Sequence, residues 1–176
     1  TNCNALPDFA LWKRNKPSIS LNMKHPKVLE ILRRLIEKAD VIVENFSVGV
    51  LERWGIGYDI VRQWNPRIIY MSMAGAGQSG PWRDFVTYAP TIHALCGLTS
   101  LTNPPDRQDI GLGCAYTDHL SGLSGALALL EALEARGRTG VGQRIDLSQL
   151  EVGAYLVGPS FADFLNNKRE AHPQEN

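Results

Sequence analysis

The sequence contains little cysteine, and this scarcity limits the kinds of protein it can be. Three cysteines occur in 176 residues, at Cys3, Cys96 and Cys114, an odd number at distant positions. Such spacing does not suit a small scaffold held together by disulfides and is typical of proteins from a reducing compartment. The chain has no Cys-x-x-Cys pair, and its four histidines are scattered. We therefore expect no metal site.

The chain also lacks net charge, a long apolar run and a recognisable leader. Eighteen Lys and Arg residues balance eighteen Asp and Glu residues, so no overall field favours nucleic acid or an anionic membrane. No apolar stretch reaches the length of a membrane span. Residues 1–4 show neither the charged region nor the apolar core of a signal peptide. These features predict a cytoplasmic protein without a nucleic-acid or membrane partner.

Helical and strand patterns alternate along a chain long enough for one α/β domain with a core. Continuous apolar runs such as 41–43 indicate strands covered on both faces, as in a parallel sheet. The predicted helices cover residues 25–39, 48–54, 58–64, 88–98, 119–136 and 148–157, the predicted strands 40–43, 67–73 and 144–147, and a predicted loop 99–112. Crossovers instead of hairpins predict a Rossmann-like α/β fold, with a mostly parallel sheet flanked by helices.

Two loops follow predicted strands, and in such sheets ligands bind outside the carboxyl ends of the strands. Asn45 and Phe46 come after the first strand, and the glycine-rich loop 75–81 comes after the second. Loop 75–81 lacks the Lys-Ser/Thr ending of a phosphate-binding loop, which favours a plain turn. For Asn45 and Phe46, an ordinary strand-end turn and a ligand contact fit the sequence equally well.

Four other polar side chains each have an ordinary structural explanation. Lys24 is by default an exposed lysine, and Arg53 is a solvated or stem-packed arginine on a short helix. His93, on an apolar helix face, is expected to be packed or partly exposed. Asp118 precedes the longest apolar helix pattern and suits an N-cap. It also suits a nucleophile held in a cleft by the positive end of that helix. Taken singly, none of these residues identifies a function.

Taken in order, however, six segments resemble the family III CoA-transferases, also called the CaiB/BaiF family. Relatives in that family include formyl-CoA transferase and α-methylacyl-CoA racemase. The segments are NKPSISLNMK at 15–24, ADVIVENF at 39–46, GVLER at 49–53, NPRIIY at 65–70, GAGQSGP at 75–81 and RTGVGQRIDLS at 138–148. The helix that contains Asp118 stands before the last of them, as it does in the family.

The resemblance implies roles for individual residues. Asp118 falls where the transferases carry the aspartate that becomes acylated. The residues at positions that contact CoA in the family are Leu21, Asn22, Met23, Lys24, Asn45, Phe46, Arg53 and Tyr88. Of these, Lys24 and Arg53 would answer the CoA phosphates. Asn22 stands where an aspartate is frequent, and Val86 stands where some members have a lysine that contacts the cofactor.

The activity implied by the resemblance is transfer of CoA between carboxylic acids, with coenzyme A as substrate and no metal. Asp118 would attack an acyl-CoA thioester to give a mixed anhydride, and CoA would then attack Asp118 to give an aspartyl-CoA thioester. Helix-end N–H groups favour the ionised aspartate, and backbone N–H groups would stabilise each oxyanion. An acyl-CoA racemase is the alternative within the family. Racemases pair this aspartate with a histidine, whereas this chain has Tyr88 at that position.

Family members extend beyond this chain at both ends, and the resemblance places the chain within them. Residues 1–165 are expected to form the central part of the large domain, and residues 166–176 a polar tail or the start of an interdomain linker. Full-length relatives form interlocked homodimers, so a homodimer is the expected assembly. A second alternative, from a different class, is a catalytically silent module that folds and self-associates.

Overall fold

The fold follows the alternation of helix and strand patterns. The computed structural model describes residues 7–104 and 110–173. In those residues the elements are, in order, α1 (Pro7–Lys13), α2 (Val28–Ile36), β1 (Val41–Glu44), α3 (Val50–Arg53), α4 (Tyr58–Trp64), β2 (Ile69–Ala74), α5 (Ala89–Leu95), α6 (Leu98–Thr102), α7 (Tyr116–Thr139), β3 (Arg144–Ser148), α8 (Gln149–Leu156) and α9 (Gly158–Asn167).

The three strands form one parallel sheet in the order β1-β2-β3. Val41 of β1 pairs with Ile69 of β2, and Ala74 of β2 pairs with Ser148 of β3. β2 has a neighbour on each side and is buried at nearly every position, which explains its continuous apolar run. The predicted α/β fold, a parallel sheet flanked by helices, is confirmed.

Helices cover both faces of β2. On one face a buried cluster joins α2, α3 and α4 to the sheet through Ile36, Leu51, Val61, Ile68 and Tyr70. On the other face α7 lies directly against β2, and a Cβ built on Gly125 would lie 3.1 Å from Cε of Met71. Alternate residues of a strand point to opposite faces, so β2 contributes to both cores.

Some predicted boundaries differ from the structure, and the predicted loop 99–112 is wrong for its first residues. Gly97 has φ +84°, a conformation that suits glycine, and it separates α5 from a second short helix, α6. Residues 105–109 of the predicted loop lie outside the described part of the chain. α7 starts at Tyr116, earlier than predicted, and α2 starts at Val28, after the His25–Pro26 pair.

The observed burial of β1 also differs from the burial predicted from the sequence. The apolar run 41–43 predicts burial on both faces, yet Val43 is 52% exposed, so the face of β1 on which Val43 lies is open. Besides α6, the helices α1 and α9 were not predicted, and α9 continues through Asn167. No helix in residues 7–104 or 110–173 combines the length and the apolar character needed to cross a membrane.

Candidate functional site

Asp118 lies at the third position of α7, on the exposed side of the helix. The interpretation of Asp118 as the N-cap is wrong, because the N-cap residue is Ala115 and it makes no side-chain capping bond. Asp118 takes part in the helix start through its backbone, whose N–H donates to the carbonyl of Ala115 at 3.1 Å. Its carboxylate is therefore not used to cap the helix and remains available for other contacts.

The carboxylate of Asp118 has a partner that the sequence did not reveal. Nε2 of Gln149 donates a hydrogen bond to Oδ1 of Asp118 at 2.7 Å. Gln149 is the first residue of α8, directly after the carboxyl end of β3. Only the position after a strand end could have drawn attention to it, since 31 residues separate the two side chains.

The start of α7 also forms a hydrogen bond with α5. His93 of α5 is 1% exposed, and its Nε2 accepts a hydrogen bond from the backbone N–H of Thr117 at 3.3 Å. A ring nitrogen accepts only when it carries no proton, so this contact requires that Nε2 be unprotonated. The prediction that His93 packs on an apolar face is confirmed by its burial. The structure adds a polar role beside Asp118.

A polar cavity of about 120 Å³ lies at the carboxyl ends of β1 and β2. Its lining comes from the loop after β1, the end of β2 and the segment before α5, and consists of Asn45, Phe46, Ser47, Val48, Ala74, Gly75, Arg83, Asp84, Phe85, Val86 and Thr87. Both loops identified in the sequence as cleft candidates contribute to it. The structure thus brings Asn45 and Phe46 together with the residue pair Ala74–Gly75, as the sheet rule predicts.

Glu44 shapes the turn that enters this cavity. Its side chain is 9% exposed, and Oε2 accepts a hydrogen bond from the backbone N–H of Phe46 at 2.9 Å. The ring of Phe46 packs edge-on against Trp54, with centroids 5.3 Å apart. Burial raises the pKa of Tyr70 in the neighbouring strand, and the charge of Glu44 raises it further, so the Tyr70 hydroxyl stays protonated.

Two arginines supply positive charge near the cavity. Arg83 contributes directly to the lining, and its only ion pair among the described residues is an exposed contact with Asp84 at 3.5 Å. Arg53 folds back over Gly49, since a Cβ at Gly49 would lie 2.9 Å from a guanidinium nitrogen. Gly49 follows the lining residue Val48 in the chain. Arg83 was missed in the sequence because it belongs to none of the segments that carry the resemblance.

The cavity and Asp118 are connected through the backbone. The carbonyl of Gly75, a lining residue, accepts the N–H of Leu150 at 2.9 Å. Leu150 follows Gln149 in α8, and Gln149 contacts Asp118. This hydrogen bond joins the glycine-rich loop at the polar cavity to α8, the helix whose Gln149 contacts Asp118.

Of the residues predicted to bind the cofactor, Asn45 and Phe46 line this cavity. Arg53 and the residues discussed next do not line it, nor does Asp118. The segment Leu21, Asn22, Met23 and Lys24 forms a turn before α2, in which Oδ1 of Asn22 accepts the N–H of Lys24 at 3.0 Å. Tyr88 is the N-cap residue of α5, directly after Thr87, and is 76% exposed. Within residues 7–104 and 110–173, no group of three His, Cys, Asp or Glu side chains could hold a metal ion.

Larger cavities lie on another side of α7, and their linings are mostly apolar. One of about 420 Å³ includes Tyr116, and one of about 560 Å³ includes Leu120. Tyr116 is two positions before Asp118, which places the two side chains on opposite sides of the helix. We assign the candidate site to the smaller cavity, because it lies at the carboxyl edge of the sheet and contains the polar side chains.

Together these features define a class of protein. It is a parallel α/β protein with an exposed carboxylate at the start of a long helix and a polar cavity at the carboxyl edge of the sheet. Comparison with known sequences then gives the family. The sequence model of CoA-transferase family III matches residues 5–176, and the chain belongs to that family.

Individual relatives agree with this assignment. The chain is 42% identical over 149 residues to a Fusarium pseudograminearum protein named acyl-CoA transferase, covering 85% of this chain and 33% of that protein. It is 40% identical over 148 residues to the beta subunit of succinyl-CoA–L-malate CoA-transferase from Chloroflexus aurantiacus, covering 82% of this chain and 36% of the relative. The chain thus spans about a third of the length of these relatives.

Solved structures show the same fold. A CaiB/BaiF family protein from Brucella suis superposes with a TM-score of 0.86 at 32% identity, covering 90% of this chain and 42% of that protein. A protein from Mycobacterium tuberculosis superposes with a TM-score of 0.81 at 28% identity, covering 88% of this chain and 43% of that protein.

Proposed function

We propose that this chain is part of a family III CoA-transferase, an enzyme that moves CoA between carboxylic acids through an acylated Asp118. The observation that carries the proposal is the exposed carboxylate of Asp118, which does not cap its own helix and accepts a hydrogen bond from Gln149. Membership of the family supports the same activity. In this proposal residues 1–165 form the central part of the large domain, and residues 166–176 are a polar tail or the start of a linker.

The proposed reaction proceeds by acyl transfers at Asp118. Its carboxylate attacks the thioester carbon of the donor acyl-CoA, the C–S bond breaks, and a mixed anhydride and CoA thiolate result. The thiolate attacks the aspartyl carbon, which releases the donor acid as a carboxylate and leaves an aspartyl-CoA thioester. The acceptor carboxylate then attacks the aspartyl carbon, and the freed thiolate takes the acceptor acyl group from the new anhydride. Asp118 returns to its starting state.

CoA is proposed to bind at the polar cavity. Asn45, Phe46 and Arg83 line it, and Arg53 lies over Gly49, the residue after the lining residue Val48. The two arginines would answer the anionic phosphates of CoA. The backbone link from Gly75 to Leu150 connects this cavity with the helix that contacts Asp118. Tyr88 and the segment Leu21–Lys24 remain proposed CoA contacts from the family resemblance alone.

The substrates are proposed to be an acyl-CoA and a free carboxylic acid. Relatives at 36% identity carry the names succinyl-CoA–D-citramalate CoA-transferase, from Chloroflexus aurantiacus, and succinyl-CoA:glutarate CoA-transferase, from Mus musculus. Their names make succinyl-CoA a reasonable first donor for experiments. The free thiols of Cys96 and Cys114 are compatible with the proposed reducing, cytoplasmic setting.

A homodimer is the proposed assembly. α7 presents three exposed leucines on one face, Leu123 at 71%, Leu127 at 59% and Leu130 at 65% exposure. Their spacing of four and three residues places them in one stripe along the helix. A contiguous apolar stripe on a surface helix is typical of a protein–protein contact.

The proposal is tested by trapping the acylated aspartate. The chain is incubated with succinyl-CoA and hydroxylamine, which attacks either the anhydride or the thioester at the aspartyl carbon and leaves a hydroxamate. Peptide mass spectrometry should find this modification on Asp118 and not on Asp146, a second exposed aspartate. Asp118→Asn, which removes the nucleophile at nearly constant shape, should abolish it.

Two other outcomes would favour the alternatives. A chain that folds and whose melting temperature rises with CoA, but that is never labelled, would be a silent binding module; the size of the rise follows from the affinity. Exchange of the α-proton of a 2-methylacyl-CoA without labelling of Asp118 would favour a racemase. The 76% exposed Tyr88 at the position of the racemase histidine argues against that outcome.

A further inference from the structure

The two oxygens of the Asp118 carboxylate are not equivalent. Oδ1 accepts the hydrogen bond from Nε2 of Gln149 at 2.7 Å, whereas Oδ2 has no hydrogen-bond partner among residues 7–104 and 110–173. A hydrogen bond to one oxygen draws electron density toward it and lowers its nucleophilicity. Oδ2 is therefore the oxygen that attacks the thioester, and Oδ1 is the oxygen that becomes the carbonyl of the acylated aspartate.

We propose that Gln149 is a catalytic residue that stabilises the oxyanion formed on Oδ1 of the acylated Asp118. The inference rests on the proposed function and deepens it. When the CoA thiolate attacks the aspartyl carbon, the C=O π pair moves onto Oδ1 and a tetrahedral oxyanion forms. The pair returns as the C–O bond to the donor acyl group breaks, and that group leaves as a carboxylate. The N–H of Gln149 faces Oδ1 throughout, and its hydrogen bond strengthens when the charge on Oδ1 is greatest.

The chemistry of the pair supports a donor role. An ionised carboxylate only accepts hydrogen bonds, so the amide of Gln149 must present its nitrogen and not its oxygen to Asp118. A distance of 2.7 Å is short for an N–H donor and is typical of a bond to a charged acceptor. Once the aspartate is acylated, Oδ1 loses its charge but keeps its lone pairs, and the same N–H continues to donate to it.

Gln149 is held in place before the reaction begins. It is the first residue of α8, whose N-cap Ser148 accepts the N–H of Glu151 through its hydroxyl at 3.2 Å. The next residue, Leu150, donates its N–H to Gly75 at 2.9 Å. These contacts on both sides of Gln149 fix its backbone at the start of α8, and the hydrogen bond to Asp118 orients its side chain. Little reorganisation is therefore needed when charge develops on Oδ1.

A role confined to orienting Asp118 would make a different prediction from a role in stabilising the oxyanion. Both roles act through the N–H of Gln149, but they affect different steps. Orienting the carboxylate speeds the attack of Oδ2 on the thioester, whereas stabilising the oxyanion speeds the later attack on the aspartyl carbon. Leucine is an apolar side chain of comparable volume that has no donor, so the step that becomes slow in Gln149→Leu separates the two roles.

The experiment measures the rate of hydroxamate formation on Asp118 with succinyl-CoA and hydroxylamine in wild type and in Gln149→Leu. Loss of one oxyanion donor should lower the maximal rate by roughly 10²–10³-fold. The lowered rate should rise with hydroxylamine concentration, because attack on the aspartyl carbon has become the slow step. A lowered rate that does not depend on hydroxylamine concentration would indicate an orienting role and overturn the proposal. The succinyl-CoA concentration at half-maximal rate should stay within about twofold, and the melting temperature should not change. Gln143→Leu, on an exposed glutamine just before β3, serves as the control and should label at the wild-type rate.

Each result decides the question. Labelling of Gln149→Leu at the wild-type rate would overturn the oxyanion role while leaving the proposed function intact. A wild type that is never labelled would instead remove the proposed function. If Gln149→Leu does not fold, Gln149→Asn tests the same idea, because its shorter side chain retracts the donor from Oδ1. A folded Asn variant that labels at full rate would equally refute the role.

Discussion

Two residues outside α7 form the hydrogen bonds that position Asp118 and the backbone beside it. Gln149 contacts the carboxylate itself, while His93 contacts the backbone one residue earlier, at the N–H of Thr117. Thr117 is fully buried, so this N–H cannot turn to solvent if its acceptor is lost. The first N–H groups of a helix have no partner within the helix, and here a buried imidazole supplies one.

His93→Leu should therefore destabilise the protein. The buried N–H of Thr117 would be left without an acceptor, at a cost of about 1–3 kcal/mol. His93→Gln offers an amide oxygen as a replacement acceptor, and its free energy of unfolding should fall by less. Urea unfolding followed by circular dichroism measures both, and hydrogen exchange of the Thr117 amide should accelerate only in the Leu variant. Equal losses in the two variants would mean that the volume of the imidazole, and not its hydrogen bond, is what matters.

The element that links the cavity to the carboxylate is the glycine-rich loop after β2. Gly75 lies so close to Thr87, in the segment before α5, that a Cβ at position 75 would be 1.7 Å from the Thr87 hydroxyl oxygen. Both residues line the polar cavity. This close approach closes one wall of the cavity, and only a residue without a side chain permits it.

Gly75→Ala should push the loop away from Thr87 and disturb the cavity. Overpacking of this kind costs about 1–3 kcal/mol, and CoA should protect the variant less against thermal unfolding than it protects the wild type. The double variant Gly75→Ala/Thr87→Ala removes the clashing hydroxyl and should recover part of the loss. Gly111→Ala is the matched control, because nothing lies within 4 Å of a Cβ there. Equal effects at positions 75 and 111 would contradict this account of the loop.

At the scale of the whole molecule, the leucine stripe of α7 is an apolar surface without a partner in residues 7–104 and 110–173. Leu123, Leu127 and Leu130 are more than half exposed, although the same helix packs its opposite side on the sheet through Gly125. Burial of one leucine side chain is worth about 1.5–3 kcal/mol. Three leucines against a second copy would contribute substantially to association.

Replacing Leu127 and Leu130 together by lysine should weaken self-association by at least about tenfold, since each 1.4 kcal/mol corresponds to one factor of ten. Size-exclusion chromatography with light scattering over a concentration series measures the change. Ile60→Lys, on an exposed position of α4, introduces the same charge elsewhere and should leave association unchanged. A wild type that stays monomeric at all concentrations, or equal effects of both changes, would refute the stripe as the contact.

The extent to which the sequence predicts the structure differs between the fold and the site. The helix at Tyr58–Trp64 was predicted with its observed bounds, because Gly57 and the Asn65–Pro66 pair mark both ends locally. In contrast, α6 was not predicted, because the break at Gly97 depends on a positive φ that the sequence does not display. Asp118, the proposed nucleophile, was identified in the sequence through the family resemblance, but its assignment as a cap could be judged only from the position of Ala115.

By itself the sequence determined the three strands of the parallel sheet, most of the helices between them and the place of Asp118 near the start of the long helix. These depend on periodicity and turn residues, which act over a few positions. Only the tertiary structure decided that Gln149 donates to Asp118, that Arg83 joins Asn45 in one cavity, and that His93 supports Thr117. Such contacts join segments far apart in the chain, and they depend on strand register and helix packing, which no local pattern specifies.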